Sequence, residues 1–304
     1  MNRDLLISRM STVVGIPVVP YADDGGIDHS RAADLTRRQV ANGVTALTPN
    51  GNTGEFYALS PAERRDIVTT VTDAAQGDAV IIAGVGLDLE SAIADARAAR
   101  DVGVDAVMIH QPVLPYLSPE GWVDYNVAIA DAVPELGVVP YLSTTAVTGA
   151  HLTKLAKRCS NVVAVKYSVV DPVVFATMRA ETEADVLWIA GLAESYAPAY
   201  WQGGARAFTS GLVNVVPAAS LSLLEALKSG EHHKAESVWR QIRRFEYLRG
   251  RNRSADNVSV VKEAMHQLGL CDRDVRPPSA ILSESARTEV CESIAEWSGT
   301  PVTA

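Results

Sequence analysis

Short, β-branched, almost wholly apolar runs recur along the first 210 residues of the chain. They are TVVGIPVV (12–19), VTALT (44–48), AVIIAGV (79–85), DAVMIH (105–110), GVVPYL (137–142), VVAVKYS (162–168), DVLWIA (185–190) and ARAFTS (205–210). Runs of this length without alternation predict strands covered on both faces. Between them lie amphipathic segments with helix start signals. Ser60-Pro61-Ala62-Glu63 predicts a capped start, with a side-chain acceptor, a proline in the first turn and a glutamate closing a capping box. Ser118-Pro119 and Asp171-Pro172 repeat the cap-then-proline order, while Gly43, Gly77 and Gly103 sit where left-handed caps end helices. Eight strand-helix units with crossover-length connections predict a closed parallel (β/α)8 barrel. The rival, a doubly wound sheet, expects a phosphate-binding glycine turn after its first strand, and PYADDGGID (20–28) contains no GxGxxG. From about residue 217 the pattern is helical only, so the expected organisation is a barrel over 1–216 with a C-terminal helical extension over 217–304 packed on it.

Charge and composition narrow the function. With 27 basic and 36 acidic residues the net charge is −9, which argues against nucleic acid or an anionic membrane as partner and favours a small molecule. Three cysteines, Cys159, Cys271 and Cys291, are odd in number and far apart, which predicts a reduced, cytoplasmic protein without a zinc site. No run of 18 apolar residues occurs, and charges break the short apolar stretch at the N-terminus, so a soluble, unexported chain is expected.

In a barrel of this kind, chemistry belongs at the C-terminal ends of the strands. Of six lysines, Lys154, Lys157, Lys228, Lys234 and Lys262 fall in polar helical segments and read as solvated. Lys166 instead closes the sixth apolar run, where burial lowers an amine's pKa and prepares it to attack a carbonyl. Tyr141 ends the preceding strand and is a candidate proton relay beside it. PNGNTGE (49–55) offers backbone amides with Asn52 and Thr53 for an anion. His110, at the end of the fourth run, reads more readily as a packing residue than as a ligand to substrate. The pair His232-His233 lacks further ligands for a metal. Arg240, Arg243, Arg244, Arg249, Arg251 and Arg253 form a basic stretch best explained by ion pairing to the protein's own acids.

Several segments together carry a resemblance: NGNTGEFYALSPAER (50–64), IIAGVG (81–86), VVPYL (138–142), VVAVKYS (162–168), GGARAFTSGLVNVVP (203–217) and VKEAMHQLGLCDRDVRPP (261–278). The chain resembles the dihydrodipicolinate synthase and N-acetylneuraminate lyase superfamily of Schiff-base aldolases and dehydratases. The resemblance implies Lys166 as the imine-forming nucleophile and Tyr141 as the proton relay. It implies Asn52 and Thr53 as the clamp for a 2-oxo acid carboxylate. Strand position adds further candidate substrate contacts: Ser168, two residues beyond Lys166 on the same strand face, Thr209 at the end of the eighth run, and His110 at the end of the fourth. The resemblance also implies no cofactor beyond the lysine imine, no metal, and a homotetramer built as a dimer of dimers, with PVLPYL (112–117) at an interface.

Three departures bear on the substrate. Asn52 stands where the synthase has a hydroxyl residue; Leu114, or Tyr116 in a shifted register, stands at the partner-subunit tyrosine position; and YLSTTAVTG (141–149) lacks the arginine that follows the catalytic tyrosine in the synthase. Cleavage or dehydration of a hydroxylated 2-oxo sugar acid is therefore expected, as by 5-dehydro-4-deoxyglucarate dehydratase or a 2-keto-3-deoxy acid aldolase. Dihydrodipicolinate synthase activity and a non-catalytic ligand-binding barrel are the alternatives.

Overall fold

In a computed structural model of the chain, residues 2–113, 116–295 and 297 are described. Each predicted run contains a strand: β1 Val13–Gly15, β2 Ala46–Leu47, β3 Val80–Val85, β4 Ala106–Ile109, β5 Gly137–Leu142, β6 Ala164–Tyr167, β7 Leu187–Ala190 and β8 Ala207–Ser210. They form a closed barrel in sequence order, the expected (β/α)8 fold. Nearly every strand residue is buried, as double coverage of a parallel sheet requires. The predicted caps are present. Ser60 Oγ accepts from the Glu63 amide while Glu63 accepts from the Ser60 amide. Asp171 accepts from the amides of Val173 and Val174 at 2.8 and 3.0 Å. After β8 the chain is helical over Pro217–Lys228, His232–Ser254, Asn257–Gln267 and Glu284–Ala295. The long second helix breaks at Arg251–Arg253, where Asn252 and Arg253 take left-handed backbone. No described helix is long and apolar enough to cross a membrane.

The chain divides into two compact units, one of residues 1–12 with 80–209 and the other of 13–79 with 210–304. In the first unit, parallel pairing aligns Ile109 with Pro140, Tyr141 with Lys166, and Lys166 with Ile189. Tyr167 of β6 and Trp188 of β7 form an aromatic cluster with Phe175 and Tyr200 of the helices Pro172–Glu181 and Ala193–Gln202: Tyr167 lies 5.2 Å from Phe175, 6.4 Å from Trp188 and 6.1 Å from Tyr200, measured between ring centres.

In the second unit an apolar core joins Val18 and Leu35 to Ile242, Phe245, Val260 and Met265. Beside it lies a buried ion pair that overturns one expectation. Lys262 is fully enclosed, not solvated, and donates to Glu55 at 2.7 Å and to the Asp274 carbonyl at 2.6 Å. Its helix is buried from Val258 through Met265, on every face, so the polar pattern of the segment misreads it. The other oxygen of Glu55 accepts from the Arg276 amide at 2.9 Å. Arg276 in turn grips Glu63 with both guanidinium nitrogens and holds that carboxyl down at about 2. Removing one partner of a buried pair strands the other charge. Lys262→Met is thus expected to cost about 3–5 kcal/mol in urea unfolding, and Glu55→Gln with Lys262→Met together to cost less than Lys262→Met alone.

Candidate active site

Lys166 sits at the inner end of β6, 4% exposed, between Tyr141 of β5 and Ile189 of β7 in the ladder. No described residue gives it a carboxylate. Its Nζ lies 4.2 Å from the centre of the Tyr141 ring. Burial pushes the amine down from 10.5 to about 8, so a substantial fraction is neutral near physiological pH. An unpaired, desolvated amine of this kind is a nucleophile poised toward carbonyl carbon.

The neighbours of Lys166 follow from strand register. His110 comes directly after β4 and is 1% exposed; its ring packs edge-on against Tyr141 at 6.1 Å. The structure therefore brings His110, Tyr141 and Lys166 into one row across three strands. Ser168, two residues beyond Lys166, faces the same way, as period-two alternation demands. It is 8% exposed, and its Oγ has no hydrogen-bond partner among the described residues. A buried hydroxyl left unsatisfied is uncommon and fits a place reserved for a ligand's polar group. Thr209, near the end of β8, is 5% exposed. Of the loop residues after Tyr141, Ser143 is exposed and its amide meets Gln111 Oε1 at 3.4 Å.

Sequence reasoning missed Gly191, which follows β7. A Cβ there would lie 2.1 Å from Ser168 Oγ and 3.0 Å from Lys166 Cγ, so only glycine leaves room for both side chains. The signal was a glycine at a strand's C-terminal end in the sequence IAGL, but its meaning depends on a neighbour 23 positions away in the chain.

The second unit carries the other predicted residues. The turn after β2 is a short 3-10 segment, Asn52–Gly54, ending in Glu55 at φ 55°. A non-glycine residue there pays for left-handed backbone, and the buried bonds to Lys262 and Arg276 hold it in place. Thr53 is 4% exposed and Asn52 is exposed. Thr53 Oγ1 accepts from Asn257 Nδ2 at 3.3 Å. Four arginines of the basic stretch form the expected ion pairs: Arg240 with Glu236, Arg244 with Glu292, Arg249 with Glu246 and Arg251 with Glu289. Leu114 lies outside the described residues, while Tyr116 is 95% exposed. Among the described residues, no group of three acidic, histidine or cysteine side chains is placed to hold a metal.

The chain is similar to known proteins over nearly its whole length. A 5-dehydro-4-deoxyglucarate dehydratase of Pseudomonas putida is 32% identical over 285 residues, 91% of this chain and 93% of that protein. The crystal structure of dihydrodipicolinate synthase from Oceanobacillus iheyensis superposes with a TM-score of 0.94 at 36% identity, covering 98% of this chain and 99% of that one. The synthase structure from Bacillus clausii gives 0.93, also at 36% identity, over 96% and 99% of the two chains. Relatives named as dehydratases, matched over nearly the whole chain, support a lyase. Because the family model for the dihydrodipicolinate synthetase family matches residues 9–296, the chain belongs to that family.

Proposed function

We propose that the chain acts on a hydroxylated 2-oxo acid through an imine on Lys166, with 5-dehydro-4-deoxyglucarate, the substrate in the relatives' name, as first candidate. The observation that carries this reading is the unpaired amine near 8 at the end of β6, beside the Tyr141 ring. The neutral amine adds to the 2-oxo carbon, and the carbinolamine loses water to give the imine. The protonated imine then accepts the electron pair left when a proton departs from the adjacent methylene. The resulting enamine expels the hydroxyl one carbon further on as water, which is dehydration. Alternatively, the imine accepts the electrons of the carbon-carbon bond broken in retro-aldol cleavage. Tyr141 is the proposed carrier of these protons, and Ser168, Thr209 and His110 the proposed readers of substrate hydroxyls. Asn52 and Thr53 are assigned the carboxylate. A site that reads hydroxyls discriminates strongly, because an analogue lacking them leaves buried polar groups unpaired. No cofactor enters this scheme.

The 36% identity to solved synthases favours a second reading, condensation of pyruvate with aspartate semialdehyde. Against it stands YLSTTAVTG, which places no arginine after Tyr141. We also propose the cytoplasm as location, and a homotetramer; Val113 and Tyr116 support an interface, being 70% and 95% exposed apolar surface in one short segment.

Three measurements test these statements. Purified protein given a panel of 2-oxo-3-deoxy acids, and separately pyruvate with aspartate semialdehyde, is expected to release water or pyruvate from the former faster than it condenses the latter. Borohydride should fix the substrate mass on Lys166, and Lys166→Ala should abolish both turnover and adduct; an adduct on another lysine defeats the proposal. Light scattering is expected to give a tetramer, and a monomer at all concentrations rejects it.

A fourth measurement concerns pH. The unfolded chain holds the Lys166 proton up to 10.5 and the folded one only to about 8. At about 1.36 kcal/mol per pKa unit, that gap costs folding about 3 kcal/mol below pH 8. Between 8 and 10.5 the unfolded state binds more protons, so stability rises with pH. Lys166→Met is accordingly expected to raise Tm at pH 7, by an advantage that shrinks toward pH 10.5; an advantage independent of pH contradicts the assignment.

A further inference from the structure

Four side chains of the second unit form one polar chain: Glu246, Arg249, Asn257 and Thr53. Glu246, Arg249 and Thr53 are 5, 6 and 4% exposed, so their bonding is nearly sealed from water. Arg249 pairs with Glu246 through Nη1 and donates from Nε to Asn257 Oδ1 at 3.0 Å. Room for the guanidinium is made by Gly211, where a Cβ would lie 2.4 Å from Nη2. A guanidinium has no acceptor, so the amide group of Asn257 has one orientation available to it, oxygen toward Arg249 and nitrogen toward Thr53. Thr53 Oγ1 must then accept, at 3.3 Å. A hydroxyl has one hydrogen, and with its oxygen engaged as acceptor that hydrogen is left to be donated elsewhere.

We infer that Asn257, oriented by Arg249, is a positioning residue that holds Thr53 as a hydrogen-bond donor, so that the 52–54 turn selects an ionised carboxylate. The inference rests on the assignment of that turn to the carboxylate of a 2-oxo acid and adds the device that sets its polarity. A carboxylate only accepts, and so matches a hydroxyl constrained to donate. Without the constraint the hydroxyl rotates freely and presents a lone pair as readily as a hydrogen.

The test compares the full-length protein with Asn257→Asp, Thr53→Val and the double variant, each titrated calorimetrically with pyruvate and with pyruvamide, whose amide can turn an N–H toward a hydroxyl lone pair. Aspartate at 257 accepts from both Arg249 and Thr53 and turns the Thr53 hydrogen away from the ligand. The expected result is at least a tenfold weaker affinity for pyruvate in Asn257→Asp and less than a twofold change for pyruvamide, which can donate to the lone pair then presented. On the Thr53→Val background the same substitution should have little further effect, which separates reorientation of Thr53 from simple repulsion by the new charge. Equal losses for the two ligands, unchanged pyruvate affinity, or a full effect on the Thr53→Val background would overturn the inference. If Asn257→Asp does not fold, Asn257→Ala is read by the same comparison, with a smaller loss still confined to pyruvate. Borohydride trapping is run alongside. If the native protein binds pyruvate without fixing it on Lys166, the imine proposal fails while the Asn257 comparison still stands or falls on the affinities.

Discussion

A primary amine enclosed by apolar strands loses the water that would stabilise its charge, and only a nearby anion makes up that loss. Lys166 has burial without the anion: its amine lies over the face of Tyr141, which attracts a cation far more weakly than a carboxylate does. The balance shifts toward the neutral form, which is populated near physiological pH, and with it comes nucleophilicity. Everything assigned to the site follows from this imbalance. The parallel register sets Tyr141 beside the amine, Gly191 leaves it room, and Ser168 reaches the same face from one pleat further on.

Lys262 shows the opposite solution in the same chain. It is equally buried, yet Glu55 stands 2.7 Å away and the Asp274 carbonyl 2.6 Å away, so attraction opposes desolvation there. That lysine is spent on architecture. It fixes Glu55 in left-handed backbone at the end of the turn that carries Thr53, while Arg276 closes the arrangement from the other side. Two buried lysines thus divide between proposed chemistry and support according to whether a carboxylate accompanies them.

Much of this was legible in the sequence because it is local. Apolar runs gave eight strands, the Ser60 and Asp171 caps gave helix starts, and a single lysine closing a strand pointed to Lys166. What escaped depends on residues far apart in the chain. Lys262 read as solvated because its helix carries polar residues, and its enclosure depends on packing no local pattern records. Gly191 matters only through Ser168, and Asn257 only through Arg249 and Thr53. The basic stretch yielded to local reasoning in its ion pairs, but Arg249 proved distinct from its neighbours, buried with Glu246 and directed at Asn257.

The aromatic cluster around Tyr167 has a bearing on how the nucleophile keeps its direction. Side chains alternate along a strand, so a slip of one residue in β6 would exchange the two faces, sending the amine outward and the phenol inward. Tyr167, Phe175, Trp188 and Tyr200 interlock as rings of fixed shape, and each aromatic pair contributes about 0.5–1.5 kcal/mol beyond the area it buries. Lysine tolerates many positions; a tyrosine wedged among three rings tolerates one. The fidelity with which the proposed nucleophile is aimed is therefore enforced from the reverse side of the strand, by a residue to which the proposed chemistry assigns no step.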